Sequence, residues 1–288
     1  MKLNVLLRTI VIASFFLTVA GASAIGKYKE LLILHTNDTH SCIVPFPKEY
    51  TDTAWADKAG AVRRATYFRD VRKVDKDVLI FDSGDFSQGS PYYNMFKGDV
   101  EIGLMNEMKY DAATIGNHEF DFGLDNMARI FKEAKFPIVC SNYHFEGTPV
   151  EGLVKPYIVL KRKGIKIGVF GLGPELDGLV QKKSCKGVRF EDPVEAANRI
   201  VPILREKEHC DMVICISHLG WSDARYGDKY FMAHTKGVDL VLGGHSHTFF
   251  NTLQYVKNEN GKEIPNDQNG KNARYIGVIK IKMEKCSK

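Results

Sequence analysis

No Cys-x-x-Cys pair occurs among the six cysteines, which argues against a thiolate zinc site. No internal repeat, low-complexity tract or Pro- or Ser-rich linker interrupts the stretch from Lys27 to Lys288, so solenoid and tandem-array architectures are excluded and one domain, residues 25–288, is the economical reading. Charge of one sign is scarce as well. Forty Lys and Arg against 35 Asp and Glu leave a formal +5, scattered along the chain, where a nucleic-acid polymer would call for a concentrated basic face. Nor is there an apolar run long enough for a stable membrane span: TIVIASFFLTVA is soon broken by Gly21, Ser23 and Gly26.

What is present describes a globular enzyme-sized domain. With 288 residues, 44% of them hydrophobic, the chain buries roughly three quarters of its unfolded surface and needs no disulfide framework. Lys2 and Arg8, the short apolar run and the small-x-small stretch Ala22-Ser23-Ala24 predict a signal peptide over residues 1–24, hence a periplasmic or secreted protein starting at Ile25. Six cysteines in an exported chain permit bridges, but Cys140 in PIVCSN and Cys215 in MVICIS read as buried strand residues, and the pairing stays open.

Apolar, β-branched runs recur at 31–38, 78–85, 112–117, 136–142, 165–173, 211–220 and 238–247, with a final strand in ARYIGVIKIKM. Helical spacing lies between several of them, at 59–74, 100–108, 124–134 and 193–207. Strands that are apolar throughout, alternating with helices, predict an α/β layered fold with strands covered on both faces. Five runs stop in polar clusters: Asp38-Thr39-His40, Gly84-Asp85, Gly116-Asn117-His118-Glu119, Ser217-His218 and Gly243-Gly244-His245-Ser246-His247. Ligands of open α/β folds gather beyond strand ends, so these tips are expected to converge on one site.

Singly, each tip is ordinary. A lone His is usually a surface residue, and Asp38 or Asp85 alone reads as a helix cap or turn. Together they offer Asp38, Asp85, Asn117, His40, His218, His245 and His247, with His118 beside them. Oxygen and nitrogen donors without thiolate favour Zn, Mn, Fe or Co. Seven donors suffice for two divalent ions if one carboxylate bridges. Two ions about 3.5–4 Å apart acidify a shared water and stabilise displacement at phosphorus, which makes a phosphate ester the natural substrate. Peptide hydrolysis would call for more carboxylates and a general base, for which Glu119 is a thin candidate. His35 reads as a packed core residue, and His144, His209 and His234 as surface positions without a role.

HTNDTH, DSGDFSQGSP, GNHEFDFG, SHLGW and GGHSHT, in that order from Leu31 to about Ile281, resemble the calcineurin-like metallophosphoesterases, and among them the catalytic domain of the 5′-nucleotidases. The resemblance implies a four-layer αββα sandwich with mixed sheets. It implies that Asp38, His40 and His247 hold the first metal, that Asp85 bridges, and that Asn117, His218 and His245 hold the second. Asn117 and His118 would touch the phosphate, with His118 as the non-ligand catalytic group oriented by Asp121.

One departure matters. The exported 5′-nucleotidases usually carry a second domain that stacks the base, and this sequence stops at Lys288. That leaves open a separate substrate-binding chain, recognition mainly through the phosphate, or loose specificity. Phe46, Tyr50 and Trp55 in the 41–56 loop, and Tyr92, Tyr93 and Phe96 in the 90–97 loop, offer stacking surfaces unless they serve loop packing. The expected function is hydrolysis of phosphate monoesters, nucleoside 5′-phosphates foremost, by metal-bridged hydroxide attack. The alternatives are a phosphodiester, nucleotide diphosphate or nucleotide-sugar hydrolase, the catalytic half of a two-chain enzyme, or a metal-binding module without catalysis.

Overall fold

The computed structural model describes residues 3–7 and 28–284. The expected leader falls outside the described residues except for Leu3–Leu7, and Cys286 falls outside them too. Among the described residues no helix is long and apolar enough to cross a membrane. The first half runs β1 (Leu3–Leu7), β2 (Tyr28–Thr36), α1 (Ala61–Val74), β3 (Leu79–Asp82), α2 (Pro91–Phe96), α3 (Asp99–Met108), β4 (Ala112–Ala113), α4 (Gly123–Glu133), β5 (Ile138–Val139) and β6 (Tyr143–His144). The second runs β7 (Val154–Lys155), β8 (Tyr157–Arg162), β9 (Ile165–Leu172), β10 (Arg189–Phe190), α5 (Pro193–Pro202), β11 (Met212–Ser217), α6 (Asp228–Ala233), β12 (Leu240–Leu242), β13 (Gln254–Lys257), β14 (Glu263–Asp267) and β15 (Gly277–Glu284).

Two mixed sheets result. The first has the order β1-β15-β2-β3-β4-β5-β7, parallel from β2 to β7 with β15 antiparallel beside β2. The second has the order β13-β14-β12-β11-β9-β8, parallel at its centre with antiparallel strands at both edges. Strand alternation sorts the side chains into three apolar layers. Leu31, Ile33, Leu79, Phe81 and Ile279 of the first sheet meet Ile167, Val169, Ile214, Ile216 and Leu240 of the second in the middle. The intervening residues face outward: Leu34 and Ile80 pack under α1, α3 and α4, whereas Phe170, Val213, Cys215 and Val241 pack under α5 and α6. Period-2 patterning with both faces apolar is what a four-layer αββα sandwich requires. The expected fold is therefore present, in one domain-sized sandwich.

Local chemistry sets the helix starts. Asp192 caps α5 by accepting from Val194 N at 2.8 Å, with Pro193 next in the chain. Ser90 does the same for α2, accepting from Tyr92 N at 3.1 Å ahead of Pro91. Residues expected to be a loop at 90–97 are thus a short helix, and Tyr93 is buried beneath it rather than offered for stacking.

Gly171 shows how closely the sheets approach. Its carbonyl accepts from Ser141 N at 2.8 Å, and a Cβ there would press on the Val139 carbonyl and on Thr114 Oγ1. Gly171→Ala is expected to destabilise the fold by about 1–3 kcal/mol through overpacking. A urea titration would read this as a lower midpoint at unchanged slope.

Candidate metal centre

The functional side chains sit just past the C-terminal ends of β2, β3 and β4 in one sheet and β11 and β12 in the other. The first two tips are stitched together by backbone bonds: Asp38 N donates to Gly84 O, and His40 N to Asp85 O, both at 2.9 Å. Asp38, His40, Asp85, His245 and His247 all have positive φ, between 42° and 69°. Non-glycine residues seldom adopt this region, and each costs on the order of 1–3 kcal/mol, so the fold holds these donors in place against local preference. Gly116 lies where a Cβ would collide with Asp85 and with His218 Nε2.

Six of the seven expected donors, all but Asn117, come together, with His118 beside them. Three sets of donor atoms each lie within 4.8 Å of one another: Asp38, His40 and His247; His40, Asp85 and His118; Asp85, His218 and His245. Asp85 is shared between the last two. His218 Nε2 is 3.1 Å from Asp85 Oδ2 and 3.8 Å from Asp38 Oδ1, and His247 Nε2 is 3.4 Å from Asp38 Oδ1. The Nε2 atoms of His40 and His247 face each other at 2.9 Å. Asn117 Oδ1 is buried and makes no hydrogen bond, as is His40 Nδ1.

A buried carbonyl oxygen and a buried ring nitrogen, neither with a hydrogen-bond partner among the described residues, are costly unless a cation or water takes their lone pairs. The charges agree with that reading. Burial pulls the His218 ring down, but the Asp85 and Asp38 carboxylates outweigh it and raise it to about 10. At His245 burial prevails and lowers the ring to about 4. Burial works against ionised Asp85, yet the rings of His218, His40 and His118 hold it well below the usual carboxylate range. Two carboxylates are balanced here only by imidazoles, and the donor set fits borderline divalent cations.

His118 and Asp121 stand at the edge of this cluster. Asp121 brackets His118 Nδ1 with both oxygens, at 3.1 and 3.2 Å, while Nε2 has no protein partner. Burial at His118 is overcome by Asp121 and Asp85, which raise the ring. His118 is close enough to His40 and Asp85 to belong to a donor group, although the resemblance keeps it outside the ligands.

The sequence reading missed the groups that hold the tips. Glu119, weighed only as a general base, is 1% exposed, and its carboxylate accepts from Gly116 N at 2.7 Å, Asp85 N at 3.0 Å and Ser87 N at 3.1 Å. It is a clamp between two tips, and burial beside Asp85 pushes it up to about 7. His35 is buried as expected, but in a polar chain rather than an apolar core. Its ring meets Ser83 Oγ at 2.9 Å and Asp267 at 3.1 Å; the Ser83 carbonyl accepts from His218 Nδ1 at 2.5 Å. On the other side Asn269 N donates to Asn37, whose amide donates to Asp38 Oδ2 at 2.6 Å. His209 and His234 are exposed as expected, whereas His144 is half-buried against Glu191 at 2.7 Å. Phe46 packs edge to face on Tyr50 and Trp55, and the described cysteines are all free.

The profile of the calcineurin-like phosphoesterases matches residues 31–249. The chain is 32% identical, over 90% of its length, to a Haemophilus influenzae 2′,3′-cyclic-nucleotide 2′-phosphodiesterase/3′-nucleotidase, covering 44% of that protein. It is 31% identical over 88% of its length to a human 5′-nucleotidase, covering 47% of it. Among solved structures, a 5′-nucleotidase precursor from Thermus thermophilus superposes with a TM-score of 0.78 at 28% identity, over 88% of this chain and 51% of that one. The chain thus spans about half the length of these relatives.

Glu119→Gln turns one acceptor oxygen into a donor against backbone N–H groups. A loss of about 1–3 kcal/mol of stability is expected, the cost of an unsatisfied buried group. Calorimetric titration with Mn²⁺ should show weaker binding too, because the Asp85 tip loses its anchor. Wild-type metal affinity in this variant would refute the clamp.

Proposed function

The chain belongs to the calcineurin-like phosphoesterase family, and from that premise we propose that it is a dimetal hydrolase of phosphate monoesters, with nucleoside 5′-phosphates the leading substrates. The observation that carries this reading is the overlap of the donor groups, with Asp85 common to two of them. Asp38, His40 and His247 would hold one cation and Asn117, His218 and His245 the other, with Asp85 shared between them. Cations bound there supply Lewis acidity and make a water nucleophilic near neutral pH.

The chain's own groups do the rest. Asp121 fixes the proton of His118 on Nδ1 when the ring is neutral and stabilises it when charged, which leaves Nε2 free to meet a phosphoryl or leaving-group oxygen. The Asn117 amide, set by the turn after β4, presents its NH₂ group to a phosphoryl oxygen. The left-handed turns at Asp38, Asp85 and His245 hold the carboxylates and rings before substrate arrives, so little reorganisation is left for the reaction. A leader such as the one expected over residues 1–24 would carry this activity out of the cytoplasm.

A diester reading is favoured by one finding, the cyclic-nucleotide phosphodiesterase name of the Haemophilus relative. Both reactions attack phosphorus at the same centre. Release of phosphate from AMP and from an aryl phosphate, compared with cleavage of a 2′,3′-cyclic nucleotide and an aryl diester, separates them. Turnover of the monoesters alone is expected; no turnover with Mn, Co, Fe or Zn would end the hydrolase proposal.

Asp85→Ala is expected to lose both bound metal and turnover. His118→Ala should keep its metal, measured by elemental analysis, and slow turnover by about two to four orders of magnitude, the range of a positioned acid or base. Equal metal loss in the two variants would contradict the division of roles.

A further inference from the structure

A planar cation beside the candidate metal centre has no oxygen partner among the described residues. Arg274 lies on the segment that follows Gly270. That segment is fastened to the site: Asn37 Nδ2 donates to Gly270 O at 2.8 Å, and Asn272 N donates to the carbonyl of Asp38 at 2.7 Å. Asn272 and Ala273 are held at φ 59° and 49°, so the arginine is aimed by strained backbone. Arg274 Nη2 and the His247 carbonyl both lie within 4.0 Å of the point that a Cβ on Gly270 would occupy, which puts the guanidinium on the His247 side of the site.

Other guanidiniums differ: buried Arg64 also leaves its Nε and Nη1 without an acceptor, whereas four half-buried ones are occupied. Arg72, Arg162, Arg199 and Arg205 are each held by carbonyl or carboxylate oxygens. Arg274 makes no hydrogen bond or ion pair with any described residue, and its Nε is buried without an acceptor. Its flat face is already used, because its Cζ stands 3.6 Å from the centre of the Trp55 ring, itself braced by Phe46. Tyr275, stacked on Phe249 at 4.1 Å, backs the other side at 5.5 Å. With the face occupied by aromatics, the free part of the group is its N–H edge. That edge wants an oxyanion, and the fork of an arginine matches the two oxygens of a phosphate. Another aromatic ring would leave those donors unmet.

We infer that Arg274, stacked on Trp55, forms an anion subsite for a phosphate of the substrate other than the one being hydrolysed, so that nucleoside diphosphates are substrates beside the nucleoside 5′-phosphates and are favoured over an aryl phosphate. This rests on the phosphoesterase reading and adds a specificity-determining residue to it. In the reaction served, a water oxygen bonds to the terminal phosphorus and the bond from that phosphorus to the bridging oxygen breaks. The electron pair departs on the bridging oxygen of the nucleoside monophosphate; one water proton stays with the released phosphate and the other passes to solvent.

The test compares kcat/KM for ADP and for an aryl phosphate on the same Mn-loaded preparations of wild type, Arg274→Ala and Arg274→Lys. A charge-assisted hydrogen bond contributes about 1.5–3 kcal/mol, so the ADP-to-aryl-phosphate ratio should fall about 10- to 100-fold in Arg274→Ala, mostly through KM. Arg274→Lys should recover part of it, keeping charge without the fork. Equal loss on both substrates, with a lower melting temperature, would mean that the Arg274–Trp55 contact only straps two loops together, and an unchanged ratio would also overturn the inference. Calorimetric binding of inorganic pyrophosphate and orthophosphate keeps the two readings apart. Should wild type hydrolyse neither substrate, the phosphoesterase reading fails, yet selective weakening of pyrophosphate in Arg274→Ala still supports the subsite; no such weakening refutes it.

Discussion

The apolar layer between the two sheets sets the level at which their strands end, and every donor of the metal centre hangs from that layer. Ile33 of β2, Phe81 of β3 and Ala112 of β4 are packed with Ile216 of β11 and Leu242 of β12. Beyond these residues the chain leaves the ladder within one to five residues. Because the layer is close-packed, the tips of one sheet cannot slide past those of the other without opening voids, which interiors do not tolerate cheaply. A rigid seam of this kind lets strained turns persist at its rim. Left-handed backbone at Asp38, Asp85 and His245 would relax in a loose loop; here the stitches between Asp38 and Gly84 and between His40 and Asp85 hold it.

Polar groups carry the seam's rigidity to the donors. The chain from Asp38 through Asn37, Asn269, Asp267, His35 and Ser83 to His218 starts on one proposed metal donor and ends on another, crossing from the first sheet to the second. Each link fixes one side-chain orientation, and outer partners of this sort commonly govern the alignment and basicity of ligating groups. Glu119 does the same work for the Asp85 and Gly116 turns by a different route, gathering three backbone N–H groups on one carboxylate.

The sequence made the donors legible because each follows an apolar run and breaks it abruptly with residues that bind cations. The layered class was legible for the same reason, since uninterrupted apolar strands need cover on both faces. Other parts gave no such signal. β13 and β14 carry Lys257, Glu263 and Pro265 and show no apolar run that would mark a strand, yet they pair and place Asp267 and Asn269 beside His35. α2 is too short for a helical period to show in SPYYNMF; only the Ser-Pro start marks it. Glu119 was invisible as a clamp because its partners are backbone N–H groups, which every residue has. Arg274 was passed over as part of a strand, and what marks it is a buried Nε without an acceptor beside a face stacked on Trp55, a property of the fold.

Each of the two proposed cation positions draws on both sheets. Asp38 and His40 come from the first and His247 from the second; Asp85 and Asn117 come from the first, His218 and His245 from the second. A cation bound at either position therefore cross-links the sandwich at its rim, and its binding free energy is added to the stability of the packed sheets. Coupling runs both ways. A substitution that shifts one sheet against the other, even deep in the middle layer and far from any donor, displaces part of the donor set of both positions together. Damage to the seam should thus weaken both positions in parallel, whereas damage to one tip should fall unequally, with Asp85 the exception because it serves both.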